Sequence, residues 1–535
     1  MVKNLVIGIL SAALLVSLIV PLLPPPVEDP ATATVANPSI PGHPETLEVP
    51  MPPPEPPPPP NPLVEGLAQI FEAATAHPGL EGAAIGFCLI GPRGDVVFSR
   101  EAATAQIPAS SLKTLTTATA LEVLGPDFVF ETRLGVGAPK QEGASATTPT
   151  ADLILLGGGD PMLSIGDFEQ WAKGLVEAGV NVIPGRVIGD GRAFSGSLFP
   201  DFWNWGDIGN GYGSPVSGLN LGHNRFSAVF TSGDAAGEPA KFRGAFPEVP
   251  GVTWWNETIT SEAESGDGIV IHGGERTGVI HLRGTVPLGG DLEVMGAVPD
   301  PERFAAHHLR AALVAAGVEV AGSAVGAVEL SQKGEEIPTI SETLVTHRSP
   351  PLLEIIKSIH ENSDNHETEC VFRTLGIRAG LPPEEVIRRH WRQKGLDLSG
   401  LRMVDGSGLA RADHITPESL AKLQYFAANS PTGESYVGSL LETGDGRIRF
   451  KAGAMSAVRS YAGLVERDTG RHAFALMVNH YPDGAAVNEL QREVFEILLG
   501  SEAPRPEAAE PKEIESPPTP PPAEEAAAVD PPGPP

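Results

Sequence analysis

Ser110-Ser111-Leu112-Lys113, entered through Pro108-Ala109 and continued by Thr114-Leu115-Thr116-Thr117-Ala118-Thr119-Ala120-Leu121, is the stretch on which the reading of this chain turns. Leu, Ala and Thr dominate from Ser111 to Leu124, and Gly125-Pro126 stops the run. The pattern predicts a helix starting at or just after Ser110. Residues three apart share a helix face, so Ser110 and Lys113 lie side by side. Upstream, Leu63 to Ala76 has helical apolar spacing. Ala83 to Ile90 and Val96 to Ser99 read as strands around the Gly91-Pro92-Arg93-Gly94 turn.

Two further motifs sit far along the chain. Ser363-Asp364-Asn365 follows a predicted helix from Pro351 to His360 and precedes another. Lys451-Ala452-Gly453 comes at the end of a predicted strand from Arg447 to Lys451. Strands from Ala457 to Val465 and His472 to Val478 follow, then an amphipathic helix from Val487 to Leu499. Two strands and a helix at the front, and three strands and a helix at the back, predict one sheet built from both ends of the chain. Between Lys113 and Ser363 the texture changes to short strands, such as Leu153 to Leu156, Arg186 to Ile188 and Gly268 to His272, with glycine-rich turns. Helices are predicted at Asp167 to Ala178 and Glu302 to Ala316. That block is large enough for one or two inserted domains.

Together the motifs describe a serine acyl-transfer site whose base is a lysine. A serine hydroxyl must lose its proton before attacking a carbonyl, and a free lysine, with a pKa of about 10.4, is a poor base near neutrality. Burial beside other positive charge would lower that value, and Lys451 is the expected source of the charge. Ser363 can relay a proton to the leaving amine. Asn365 can hold a substrate amide through its donor and acceptor. Lys451 suits a substrate carboxylate, and Gly453 lets an extended substrate lie close to the strand edge.

At these residues the chain resembles penicillin-binding proteins, specifically the D-alanyl-D-alanine carboxypeptidase/endopeptidase family of the penicillin-binding protein 4 type (peptidase family S13). The likeness also takes in Gly157 to Pro161, Trp203 to Asn210 with Val216 to Asn220, Val298-Pro299-Asp300-Pro301 and Val404-Asp405-Gly406-Ser407-Gly408-Leu409. It implies an α+β fold: a penicillin-binding-protein/serine β-lactamase-like transpeptidase domain, an antiparallel sheet flanked by helices, with large inserted β-rich domains. The expected division is a signal or membrane anchor over 1–23, a Pro-rich linker over 24–62, a catalytic domain in two segments (63–140 and 340–500), an insert over 141–339 and a Pro/Glu/Ala-rich tail over 501–535. The resemblance implies cleavage of the terminal D-Ala of peptidoglycan stem peptides, and of cross-links, through an acyl-enzyme on Ser110. It implies β-lactams as covalent inhibitors, and the N–H groups of Ser110 and Ala454 as the oxyanion hole. One departure stands out: the family usually has Lys-Thr-Gly or Lys-Ser-Gly at the third motif, where this chain has Ala452. One lost hydrogen bond to a charged group costs about 1.5–3 kcal/mol, a handicap short of abolition.

Composition bounds the remaining readings. The formal net charge is −30, and the tail from Ser501, with eight acidic and two basic residues, supplies only −6 of it. An acidic body repels phosphate backbones, which argues against nucleic acid as a partner. Met1-Val2-Lys3-Asn4 and the apolar run from Leu5 to Leu23 have the features of an export signal, here read as an uncleaved anchor that places the catalytic part in the periplasm or otherwise outside the cytoplasm. Only Cys88 and Cys370 are present, expected as two buried thiols. No cofactor is called for. The cluster His360, Glu361, Asp364, His366 and Glu367 has poor helical spacing for a metal. Two other readings stay open: a catalytically weak scaffold that binds stem peptides, prompted by Ala452, and a β-lactamase, for which no deacylating glutamate is marked.

Overall fold

The computed structural model describes residues 61–137, 151–266, 268–443 and 445–500. The expected anchor over 1–23, nearly all of the linker over 24–62 and the tail over 501–535 lie outside the described residues. Asn61 and Pro62, assigned to the linker, instead begin the first helix, Pro62–Ala76. The Asn61 side chain accepts from the Leu63 N–H at 3.2 Å, and Pro62 costs nothing at a first-turn position whose N–H has no helical partner. Among the described residues no helix is long and apolar enough to cross a membrane.

One six-stranded antiparallel sheet carries the third motif, Lys451-Ala452-Gly453. Its order is Leu441–Glu442, Ile448–Met455, Val458–Arg467, Gly470–Asn479, Ala84–Ile90 and Val96–Arg100. The two ends of the chain therefore meet where Ala84–Ile90 pairs with Gly470–Asn479. Alternation along these strands feeds two cores. Phe87, Leu89, Phe474, Leu476 and Val478 face the terminal helices Pro62–Ala76 and Gly484–Leu499. Cys88, Ile90, Ala473, Ala475 and Met477 face a helical layer containing Leu115, Ile355, Ile359, Val371 and Trp391. A sheet covered on both sides has apolar residues at every position, which is why these strands read as continuous runs. Cys88 and Cys370 are buried free thiols.

The third-motif strand does not stop at Lys451 as its spacing suggested. It runs from Ile448 to Met455, paired throughout with Val458–Val465. Among the described residues its other edge pairs only at Arg449 and Phe450, with Leu441–Glu442.

A second sheet lies in the intervening block, with strand order Ala324–Gly326, Val187–Asp190, Leu153–Leu156, Glu131–Gly137 and Ile340–Arg348. The outer two of these sequence-wise, Glu131–Gly137 and Ile340–Arg348, pair with each other. The expected breaks at 140/141 and 339/340 thus fall beside paired strands of this sheet, and both strands belong with the insert's sheet rather than with the motif-bearing one. A separate apolar core, including Leu134, Leu155, Phe168, Val187, Phe304 and Leu309, supports it.

Phe474 is fully buried, with its ring 5.5 Å from that of Phe495. Phe474→Ala is expected to cost about 3–5 kcal/mol through the cavity it leaves, read as a lowered urea midpoint by tryptophan fluorescence.

Candidate active site

The nucleophile turn is a short 3-10 helix, Ala109–Leu112, running directly into the α-helix Lys113–Val123. Ala109 sits at φ 47°, a left-handed conformation unusual for a residue with a Cβ. Three contacts hold the strain. The Pro108 carbonyl accepts from Ser111 Oγ at 2.8 Å and from Ser460 Oγ. A Cβ on Gly408, itself at φ 77°, would stand 2.0 Å from the Ala109 carbonyl oxygen. A Cβ on Gly453 would stand 2.7 Å from both Pro108 O and Ser110 N. Gly453 therefore clears the nucleophile turn itself, whereas the sequence reading had assigned that clearance to substrate. The same turn separates two adjacent serines: Ser111 is buried and tied to Pro108 and Ser460, while Ser110 is partly exposed.

Lys113 is completely buried. Its Nζ lies 3.0 Å from Ser110 Oγ, 2.6 Å from Asn365 Oδ1 and 2.8 Å from the Ser407 carbonyl oxygen. The last two groups, as oriented here, are acceptors only. In the neutral amine both N–H bonds are taken by them, which leaves the lone pair directed at Ser110 Oγ. Burial draws the Lys113 pKa down to about 8, against the opposing pull of Asp405, Asp364, Glu369 and Asp413. Of the two expected causes, burial is the one that lowers it, and the Lys451 charge is not among the groups that shift it. The influence runs the other way: Lys451 is drawn down to about 7 by burial first and by Lys113 second.

Lys451 Nζ donates to Ser363 Oγ at 2.8 Å and to its neighbour's carbonyl, Ala452 O, at 2.9 Å. Ser363 ends the helix Leu352–Asn362 at φ 55° and so turns its hydroxyl back toward the strand. Asp364 then caps the next helix, Asn365–Ala379, accepting from the Glu367 N–H at 2.9 Å. Asn365 is already engaged twice, accepting from Lys113 and donating from Nδ2 to the Tyr212 carbonyl at 2.9 Å. One N–H and one lone pair of its amide remain for another molecule.

The intervening block grips this second motif closely. Arg225 pairs with Asp364 at 2.8 Å, His223 meets Glu367 at 2.9 Å, and His366 Nδ1 faces the Pro215 carbonyl at 3.0 Å. Burial pushes the Asp364 carboxyl up, but Arg225, His223 and His366 outweigh it and hold it at about 2. His223, Asp364 and Glu367 are close enough to share a cation. The place is already served by the Arg225 guanidinium, and the sequence cluster had lacked both insert residues.

Sequence reasoning placed Ser110, Lys113, Ser363, Asn365, Lys451, Gly453 and Ala454; the structure joins Lys113 to Ser110 and Asn365 in one hydrogen-bonded group and Lys451 to Ser363 in another, with Gly453 packed against the Ser110 turn. Ala454 lies on the same strand, opposite Arg459 and exposed. Tyr212, Ser407, Gly408 and Ser460 were missed as contributors. Tyr212 and Ser407 act through backbone carbonyls, which carry no side-chain signature. Gly408 lies in the Val404-Asp405-Gly406-Ser407-Gly408-Leu409 segment that the resemblance takes in.

Because a Cβ on Gly453 would meet the Pro108 and Ser110 main chain as well as the Ser460 hydroxyl, Gly453→Ala should displace Ser110. The expected result is a drop of about a hundredfold or more in the rate at which an acylating probe labels Ser110, with the thermal melting point little changed.

The comparisons with known proteins agree with this geometry. A family model described as D-Ala-D-Ala carboxypeptidase 3 (S13) family matches residues 67–498. The D-alanyl-D-alanine carboxypeptidase of Actinomadura sp. is 28% identical over 474 residues, covering 82% of this chain and 86% of that protein. The D-alanyl-D-alanine carboxypeptidase DacB of Haemophilus influenzae is 25% identical over 441 residues, covering 77% of this chain and 88% of that one. The crystal structure of penicillin binding protein 4 from Haemophilus influenzae superimposes with a TM-score of 0.69 at 20% identity, over 81% of this chain and 99% of the other. The chain belongs to the D-Ala-D-Ala carboxypeptidase 3 (S13) family and is a serine-type D-Ala-D-Ala carboxypeptidase.

Proposed function

We propose that this carboxypeptidase works through an acyl-enzyme on Ser110, with Lys113 as the base that activates it. The observation that carries the reading is the three-way environment of Lys113 Nζ, which leaves a lone pair only toward Ser110 Oγ. Attack of Oγ on the carbonyl of the penultimate D-Ala breaks the C–N bond to the terminal residue. The proton taken by Lys113 reaches the leaving amine by way of Ser363, whose hydroxyl Lys451 holds at 2.8 Å. The N–H groups of Ser110 and Ala454 serve the developing oxyanion. Water then hydrolyses the ester, with the same lysine as base. Asn365 contributes its remaining amide N–H to the substrate backbone.

The substrates are peptidoglycan stem peptides, and cross-links are included. Beyond Phe450 the outer edge of the third-motif strand has no strand partner among the described residues. A peptide continuing past the scissile bond can therefore lie along it by strand addition, which supports endopeptidase as well as carboxypeptidase cleavage. β-Lactams, whose ring presents an acyl group to the same serine, acylate Ser110. One related structure, penicillin binding protein 4 from Haemophilus influenzae, is described as complexed with a β-lactam. Such a substrate places the working protein outside the cytoplasm, in keeping with the export features of residues 1–23. No nucleic acid or cofactor enters the reaction.

Intact-mass measurement after incubation with a penicillin tests the assignment. One drug per chain is expected, with no adduct in Ser110→Ala, alongside release of D-Ala from an N-acyl-D-alanyl-D-alanine peptide. A folded parental chain that neither forms the adduct nor consumes the drug would defeat the reading and favour a stem-peptide-binding scaffold; rapid drug hydrolysis would favour a β-lactamase. The pH dependence has a definite sign. Lys113 must be unprotonated to accept the serine proton, and its value lies at about 8. Acylation should therefore climb close to tenfold per pH unit on the acid side and level off as the pH passes that value. Stopped-flow acylation across this range checks it.

A further inference from the structure

Three carboxyl groups lie behind Lys113, on the side away from Ser110. Glu369 is 1% exposed, and Asp405 and Asp413 are fully buried. None of them is ion-paired among the described residues. All three instead organise the backbone from Val404 to Ala410. Glu369 Oε1 accepts from Gly406 N and Ser407 N, each at 2.8 Å. Asp405 accepts from Gly408 N at 2.6 Å, from Ala410 N at 2.8 Å and from Trp203 Nε1 at 2.8 Å. Asp413 Oδ1 accepts from Val404 N at 2.7 Å. Its Oδ2 is buried and meets no N–H or hydroxyl donor, and the Asp413 carboxyl lies within hydrogen-bonding reach of the Asp405 carboxyl.

Two carboxylates cannot stay charged against each other in a buried site without a cation between them. A single shared proton resolves the arrangement: Asp413 Oδ2–H donates to Asp405, the pair carries one negative charge, and the otherwise orphaned Oδ2 gains its partner. The loop held in this way ends at the Ser407 carbonyl that fixes Lys113 Nζ at 2.8 Å. Thr116 Oγ1, from the next turn of the Lys113 helix, pins the same loop at Gly406 O, 2.8 Å away.

We propose that Asp405 and Asp413 form a proton-sharing acid–carboxylate pair which, with Glu369, positions the Ser407 carbonyl against Lys113 and so aims the base at the nucleophile. These are positioning residues; none touches substrate. The proposal rests on the assignment of Ser110 and Lys113 above. Burial first, and the neighbouring Asp405 second, raise both Asp413, to about 10, and Glu369, to about 8, which agrees with protons held in this cluster near neutrality. The charged or titratable groups that face the pair and its loop are Lys113 from the nucleophile helix, and Asp364, Glu369 and Arg373 around the second-motif helix.

Asparagine at 413 is the decisive substitution. It keeps an acceptor for Val404 N–H and supplies a permanent N–H toward Asp405, so it mimics protonated aspartic acid without titrating. If the proton is shared, D413N leaves the site charge unchanged. Its acylation rate should stay within about threefold of the parental rate, and the rising limb of the pH profile should stay in place. If both carboxyls are ionised, D413N deletes a negative charge that holds the Lys113 proton, and the limb moves to lower pH by half a unit or more. D413A removes the donor altogether. With the fold verified by circular dichroism, it should acylate at least about thirtyfold more slowly with little change in the half-saturating drug concentration. A moved limb in D413N, or a folded D413A with the parental rate, overturns the proposal. D413N alone decides the shared proton if D413A does not fold. A parental chain that forms no Ser110 adduct would defeat the underlying site assignment, whereas a normal parental rate with a moved limb in D413N defeats only the shared proton.

Discussion

A lysine with no access to water is the constraint around which this molecule is arranged. Lys113 is buried on the first turn of its helix, and its amine must be satisfied by groups the fold brings to it. Two acceptors arrive from distant parts of the chain, Asn365 through its amide and Ser407 through its carbonyl. The remaining direction belongs to Ser110. The direction of the Lys113 amine toward Ser110 is therefore a consequence of satisfying a buried polar group. The same burial that demands those partners also lowers the affinity of the amine for its proton, so geometry and basicity have one source.

The helix that carries Lys113 is fixed by the same need to satisfy buried polar groups. Its threonines are all buried. Thr114 accepts from Gln424, Thr116 donates to the Gly406 carbonyl, Thr117 meets His360, and Thr119 accepts from Trp391 while donating to Leu115 O. Burial, and secondarily the nearby Lys451 charge, pulls His360 down to about 3, so it packs as a neutral ring. A helix with polar groups on every side is held in rotation and in height by directional bonds, where an apolar helix could slide. Catalytic geometry tolerates little displacement, which gives this arrangement its value.

The intervening block is part of the site's construction. Tyr212 and Pro215 supply carbonyls to Asn365 and His366, while His223 and Arg225 pair with Glu367 and Asp364. Four of the five residues from Asp364 to Thr368 are thus engaged by one stretch of the block, and Thr368 turns to the Asp364 carbonyl. Disturbing that stretch would be felt at Lys113 through Asn365, without any change in the three motifs themselves.

Local sequence was sufficient for the elements and for the chemical identity of the site. Ser110 and Lys113 share a helix face at i, i+3, Lys451 and Gly453 share one face of a strand at i, i+2, and Ser363 and Asn365 flank the residue that caps one helix. Alternation along Ala84–Ile90 and Gly470–Asn479 likewise follows from the strand repeat. Three things needed the tertiary structure, because each depends on atoms from remote segments meeting. The direction of influence between Lys113 and Lys451 is set by their relative burial and by the acids behind Lys113. The purpose of Gly453 is set by the Pro108 and Ser110 backbone pressed against it. The division of the chain between its two sheets is set by the pairing of Glu131–Gly137 with Ile340–Arg348. Hydrogen bonding to main-chain carbonyls and the desolvation of charge are properties of an assembled interior, and neither is written in the order of the residues.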